Sequence, residues 1–167
     1  MKSAVKITWL ISSLLFVFIF YSHTSELPSR FASHWGLDGQ PNGWSTKTGF
    51  IFGLSGMFFL TNILMAAIYL LISRVPKSAV NLPNKEWWFA TPERKQVVYE
   101  KVRGMMASTG VFTNTVFLFT AYVVFQNAGI ALPIRIPILE GVGCILLLTV
   151  VFLIFLAKNV SAFKRTN

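Results

Sequence analysis

Four apolar runs, the first three uncharged and the fourth carrying only Glu140, alternate with polar segments along the 167 residues, and that alternation predicts the elements. The first run, Ile7 to Ser25, follows Lys2 and Lys6, centres on LISSLLFVFIFY, and is long enough to cross a hydrocarbon core of about 30 Å as a helix. A cleaved signal peptide, with Ser22 and Thr24 as a poor cleavage site, is the rival reading, and a retained anchor is preferred. The second run, Thr48 to Ser73, spans with some tilt. The third, Gly104 to Gln126, ends at the turn Asn127-Ala128-Gly129. Pro133 and Pro137 bracket Arg135, and proline is tolerated in a first helical turn, so a fourth helix starts at Pro137 and runs to Ala157. The pattern predicts an all-α membrane protein, a four-helix transmembrane bundle with a short structured extracytoplasmic loop between helices 1 and 2. Residues 1–75 form a two-helix hairpin with its outer loop, 76–103 a cytoplasmic loop with an amphipathic helix, and 104–167 the second helix pair and a basic tail.

Two long polar segments separate the first three runs, and the short segment Asn127 to Ile136, expected outside, separates the third from the fourth. Glu26 to Lys47 carries His34, Trp35, Asp38, Trp44 and the turn-forming series Gly39-Gln40-Pro41-Asn42-Gly43, too dense in glycine, proline and asparagine for a helix or a central strand. It predicts a tightly turned cap, with Gly39 and Gly43 at turn positions and Trp35 and Trp44 packed on the helix ends. Arg74 to Arg103 carries most of the charge. Within it Thr91-Pro92-Glu93 is a helix start, a threonine N-cap followed by proline and an acid near the positive end of the dipole. That helix is expected to lie along the membrane before turning inward, with Trp87, Trp88 and Phe89 anchored among headgroups.

Composition places the chain in the membrane: 54% of residues are hydrophobic and 13% charged. The formal charge of +9 does not point to nucleic acid, because the cations are sorted by loop. Lys2, Lys6, the seven Lys and Arg between Arg74 and Arg103, and the tail Lys158, Lys164 and Arg165 lie on one side. Arg30, Lys47 and Arg135 lie on the other. The richer side is cytoplasmic, so both termini are expected inside a cell inner (plasma) membrane crossed several times. Cys144 is the one cysteine, so no internal disulfide is available.

The series Leu27-Pro28, His34, Gly39-Gln40-Pro41-Asn42-Gly43-Trp44 and Lys47, set between two membrane helices, resembles the bacterial domain of unknown function DUF1648. The likeness covers about the first seventy residues. That domain also forms the amino-terminal part of the Sdp immunity protein, a membrane protein of bacilli that protects against a secreted toxic peptide and takes part in signalling. Asn81-Leu82-Pro83-Asn84-Lys85-Glu86-Trp87-Trp88, followed by Ala90-Thr91-Pro92-Glu93-Arg94, is similar to a segment of four-helix members. The resemblance implies a fold and a place in the membrane, and no mechanism.

Candidate chemistry is sparse. His23, His34, Asp38 and Glu26 offer a zinc-like donor set. The competing reading has His34 on a backbone carbonyl and Asp38 turning its own backbone, so neither a metal nor another cofactor is expected. Asn62 and Asn114 are amides near mid-membrane and natural partners by depth. Gly49 and Gly53 offer a close-packing seam. Glu140 lies in the fourth apolar run, near Arg135 and one turn from Cys144, where an ionisable group is a functional candidate. His34, Trp35, Asp38, Asn42 and Trp44 make the candidate binding surface. The expected partners are the lipid bilayer and a membrane protein or peptide, in a non-enzymatic immunity, sensing or accessory role. The alternative is a membrane-embedded enzyme or carrier using His34 and Asp38 or Glu140.

Overall fold

The computed structural model describes residues 2–36, 40–128 and 138–164. Helix α1, Lys2–His23, is followed by a 3-10 turn, Thr24–Glu26, and then by two strands, β1 (Arg30–Trp35) and β2 (Pro41–Thr46). Helix α2 is Lys47–Leu71, α3 is the single turn Lys85–Trp88, α4 is Pro92–Asn127, and α5 is Ile138–Ser161. Among the described residues three segments are helical, long and apolar enough to cross a membrane: Ala4–Glu26, Lys47–Arg74 and Pro92–Asn127. The described apolar part of α5, Ile145–Ser161, is shorter.

The expectation of an all-α chain misses the hairpin. Strands β1 and β2 pair antiparallel, Arg30 opposite Thr46 and Ala32 opposite Trp44, with irregularities on either side of His34. Pro41, Asn42 and Gly43, expected as turn residues, lie in β2. The expected amphipathic segment and third span also merge, since α4 is one helix of 36 residues. Gly104 alone costs about 1 kcal/mol relative to alanine in a helix, too little to break one that is packed along its length. Its start is built as the sequence implies, with the Thr91 hydroxyl accepting from Arg94 N at 3.4 Å and proline in the first turn.

Helices α1 and α2 both pack along α4, and α5 rests chiefly on α4, where Phe112 and Phe152 stack with centroids 4.3 Å apart. Lipid tails are as apolar as the core, so close fit must hold the helices together. Aromatic rings supply that fit. Phe16 and Phe58 stack at 4.0 Å, and Phe117 meets both edge-on at 5.8 and 5.6 Å. Phe20 and Ala121 complete this cluster.

Polar side chains knot the same three helices. Asn62 Oδ1 accepts from Trp9 Nε1 at 2.8 Å, and Asn62 Nδ2 donates to Asn114 Oδ1 at 2.9 Å. Asn114 Nδ2 in turn donates to Ser12 Oγ and Ser13 Oγ at 3.0 and 2.9 Å. Each serine donates its own proton to the carbonyl of Trp9. Asn114 is fully buried, and this ring of bonds is what makes that tolerable.

At the basic end, Trp88 is buried with Val98 and Phe163, and its Nε1 donates to Phe163 O at 2.9 Å. Asn84, at φ 55°, donates through Nδ2 to Lys164 O. Arg94 lies 3.8 Å over the Trp87 ring, and Lys101 lies over both Trp88 and Phe163. Trp88 therefore ties α3 to the end of α5, where a headgroup anchor was expected. Lys77 donates to Glu86 and holds that carboxyl below its ordinary range.

Gly110 tests the knot. A Cβ there would fall inside van der Waals contact of the Trp9 indole, whereas one at Gly53 meets open space. Gly110→Ala is expected to lower stability in detergent by about 1–3 kcal/mol, read as a lower thermal midpoint, while Gly53→Ala does not lower it. Equal midpoints for the two variants would show that the indole is not clamped.

Candidate functional site

The hairpin is fastened to the helix ends by its apolar side. Leu27, Phe31 and Val124 are buried together, with Trp35, Phe50, Phe125 and Ala128 packed around them. Phe31 meets Phe50 edge-on at 5.4 Å. The link into α2 is short: Thr46 caps the helix by accepting from Gly49 N at 3.1 Å, while Lys47 N donates to Ser29 O at 3.0 Å. Lys47 Nζ also reaches Ser25 O, so α1, hairpin and α2 are joined at one level.

The irregular register decides which side chains face out. Ala32 pairs with Trp44 but His34 pairs with Gly43, which leaves Ser33 as an extra residue in β1. A bulge of this kind re-aims the chain after Ala32, and the two residues just before it, Phe31 and Ala32, are both buried although adjacent. His34, Asn42 and Trp44 are exposed, Trp44 at 57%. His34 Nδ1–H donates to Asn42 Oδ1, which joins the two side chains across the strands. Trp35 is half-buried, and its Nε1 has no partner among the described residues.

Of the five proposed binding residues, the structure thus brings His34, Asn42 and Trp44 onto the outer surface and turns Trp35 toward the core. Trp44 does not pack on a helix end, because β2 carries it to the exposed side. Gly43 is needed for close approach and not for a turn: its ideal Cβ would stand 2.8 Å from His34 Cβ. Asp38 and Gly39 lie outside the described residues, as do Arg135, Pro133 and Pro137 and the side chains of Glu140 and Cys144.

His23 Nδ1 donates to Ile19 O at 2.9 Å within its own helix. Among the described residues no three His, Cys, Asp or Glu side chains stand together as metal ligands. Gly49 does not form a seam with Gly53 inside this chain. Its nearest neighbour is the Thr46 hydroxyl of its own cap, and Gly53 meets nothing within 4 Å.

Trp9, Ser12 and Ser13 were not singled out by sequence reasoning. The signal was present, three polar groups at i, i+3 and i+4 on one face of an otherwise apolar span. The arrangement offers hydrogen bonding and aromatic contact at the hairpin, and inside the spans a set of neutral groups that bond one another.

The family model of a domain of unknown function, DUF1648, matches residues 9–59. The match opens at Trp9, includes the whole hairpin and closes at Phe59, three residues before Asn62. No curated protein and no solved structure matches the chain.

The contact of Gly43 with His34 gives a local test. Gly43→Val is expected to part the strands and raise amide hydrogen exchange across residues 30–46 about tenfold, an opening made easier by about 1.4 kcal/mol. Exchange unchanged in that segment would mean that the strands do not depend on the missing side chain.

Proposed function

We propose that this protein, which carries a DUF1648 domain, is a non-enzymatic, multi-pass protein of the cell inner (plasma) membrane that recognises a peptide or partner protein through its outer hairpin. The observation that carries this is Trp44, a large ring left 57% exposed beside His34 and Asn42 on an element whose other side is fixed to α2 and α4. A rigid aromatic with adjacent hydrogen-bonding groups gives contact area at low entropic cost, as recognition surfaces require. Among the described residues each strand of the two-stranded sheet also has one edge without a strand partner, the kind of edge to which an extended peptide can add by main-chain bonds. Immunity, sensing and accessory assembly all use contact of this kind.

Orientation in this proposal follows charge. Arg30 and Lys47 are the Lys and Arg residues at the described hairpin end, whereas Lys6, Arg74, Lys77, Lys85, Arg94, Lys95, Lys101 and Arg103 gather at the opposite end. Positive charge is retained on the cytoplasmic side, so the hairpin faces out and both termini face in. In a Cys144→Ser background, a cysteine at Asn42 should react with an impermeant thiol reagent in intact cells and one at Asn84 should not. The reverse pattern would invert the protein.

Function is tested in the organism that encodes the chain. A deletion strain challenged with membrane-active peptides and envelope stress should be rescued by wild type and not by Trp44→Ala, at equal protein level. Full rescue by both Trp44→Ala and His34→Ala in every condition would remove the hairpin from the recognising role.

A further inference from the structure

We propose that the groove between α1 and α2 at the basic end holds one acyl chain of an anionic phospholipid, with the Lys6 ammonium on its phosphate. This goes beyond the hairpin and concerns the opposite end of the molecule.

The groove follows from how the helices pack. Helices α1 and α2 each lie along α4 but scarcely along each other, and bridge the space between them by side chains: Tyr21 to Ser55, Phe16 to Phe58 and Trp9 to Asn62. Beyond the last bridge, toward the basic end, a hollow of about 340 Å³ opens, lined by Lys6, Trp9, Phe59, Asn62, Ala66 and Tyr69 among others. Ala66 leaves the room that a larger side chain would fill. From Phe59 to Tyr69 the groove follows α2 for about 15 Å at the helical rise, the reach of a good part of an acyl chain.

Its rims face lipid. Leu10, Ile63 and Leu70 are 53, 63 and 66% exposed, so the hollow opens sideways into the hydrocarbon layer. Water cannot fill an apolar slot at that depth, and a lipid tail can. Asn62 does not repel it, because both its amide atoms are committed: Oδ1 accepts from Trp9, and Nδ2 donates to Phe58 O and Asn114 Oδ1.

The mouth supplies the charge. Lys6 is exposed and has neither a hydrogen bond nor an ion pair among the described residues. Behind the Tyr69 ring stands Arg103, its guanidinium 6.0 Å from the ring centroid and its Nε donating to Tyr69 O at 3.1 Å. Glu100 lines a second hollow with Arg103 and is not among the residues that line the groove of Lys6. An anionic headgroup therefore meets Lys6 directly and a positive background behind it, whereas a zwitterionic one gains less.

The test uses the purified full-length chain in mild detergent, stripped of lipid and offered equimolar phosphatidylglycerol and phosphatidylcholine of identical tails. Native mass spectrometry should show the phosphatidylglycerol adduct favoured about fivefold, the worth of one cation at the surface. Lys6→Gln should bring the ratio near one while lipid still binds. Ala66→Phe should reduce both adducts. Lys158→Gln, which removes a charge at the same end outside the groove, should leave the ratio as in wild type. No preference in wild type, a preference that survives Lys6→Gln, or an equal loss in Lys158→Gln would overturn the proposal. If Lys6→Gln does not fold, undiminished binding to Ala66→Phe overturns it alone.

Discussion

A polar atom inside a bilayer has no water to turn to, and Asn114 is where this chain meets that constraint most sharply. The side chain is fully buried near the middle of the longest helix, with two donors and an acceptor to satisfy. Ser12 and Ser13 from α1 and Asn62 from α2 satisfy them, and so bind both helices to α4 at one depth. Each interhelical bond of this type contributes only about 0.6 kcal/mol on average. Its larger effect is on register, because sliding α1 or α2 by one turn would strand an amide in hydrocarbon. The stacked rings of Phe16, Phe58 and Phe117 then pack in the one arrangement that this register allows.

From that level the molecule differs toward its two ends. At one end Leu27, Phe31 and Val124 seat the hairpin on the helices. At the other lie the cations, the buried Trp88 and the groove beside Lys6. The DUF1648 match covers the hairpin and most of the inward faces of α1 and α2, but stops short of α4, which supplies Asn114 and Val124. The matched segment is therefore one part of a packing unit that residues beyond it complete.

Much of this was legible in the chain. Uncharged length marked the spans, Thr91-Pro92 marked the start of α4, and the depth of two amides marked Asn62 and Asn114 as neighbours. The strands were not legible for a local reason. In RFASHW the bulge at Ser33 hides the alternation by which strands are recognised, and in PNGWST the residues that let β2 pass close to His34 are those that ordinarily make turns. The outward turn of Trp44 follows from register, which depends on two strands at once. The link from Trp88 to Phe163 joins residues 75 apart in sequence and has no periodic signature. The continuity of α4 was obscured because its first turns are charged and its later ones apolar, although the backbone makes no distinction between them.

That continuity makes α4 a lever. Thirty-six residues at the helical rise give a rod about 54 Å long, with Gly110 and Asn114 close to its midpoint. Among the described residues the helix has no proline after its first turn, and the ladder of backbone bonds that would have to break for it to bend is uninterrupted. Val124 under the hairpin and Val98 beneath Trp88 are therefore points on one stiff body. A rocking of about 5° around the Asn114 fulcrum would swing the Pro92 tip by about 2.9 Å and the Asn127 tip by about 1.7 Å in opposite directions. A push on either end of this rod would be felt at the other.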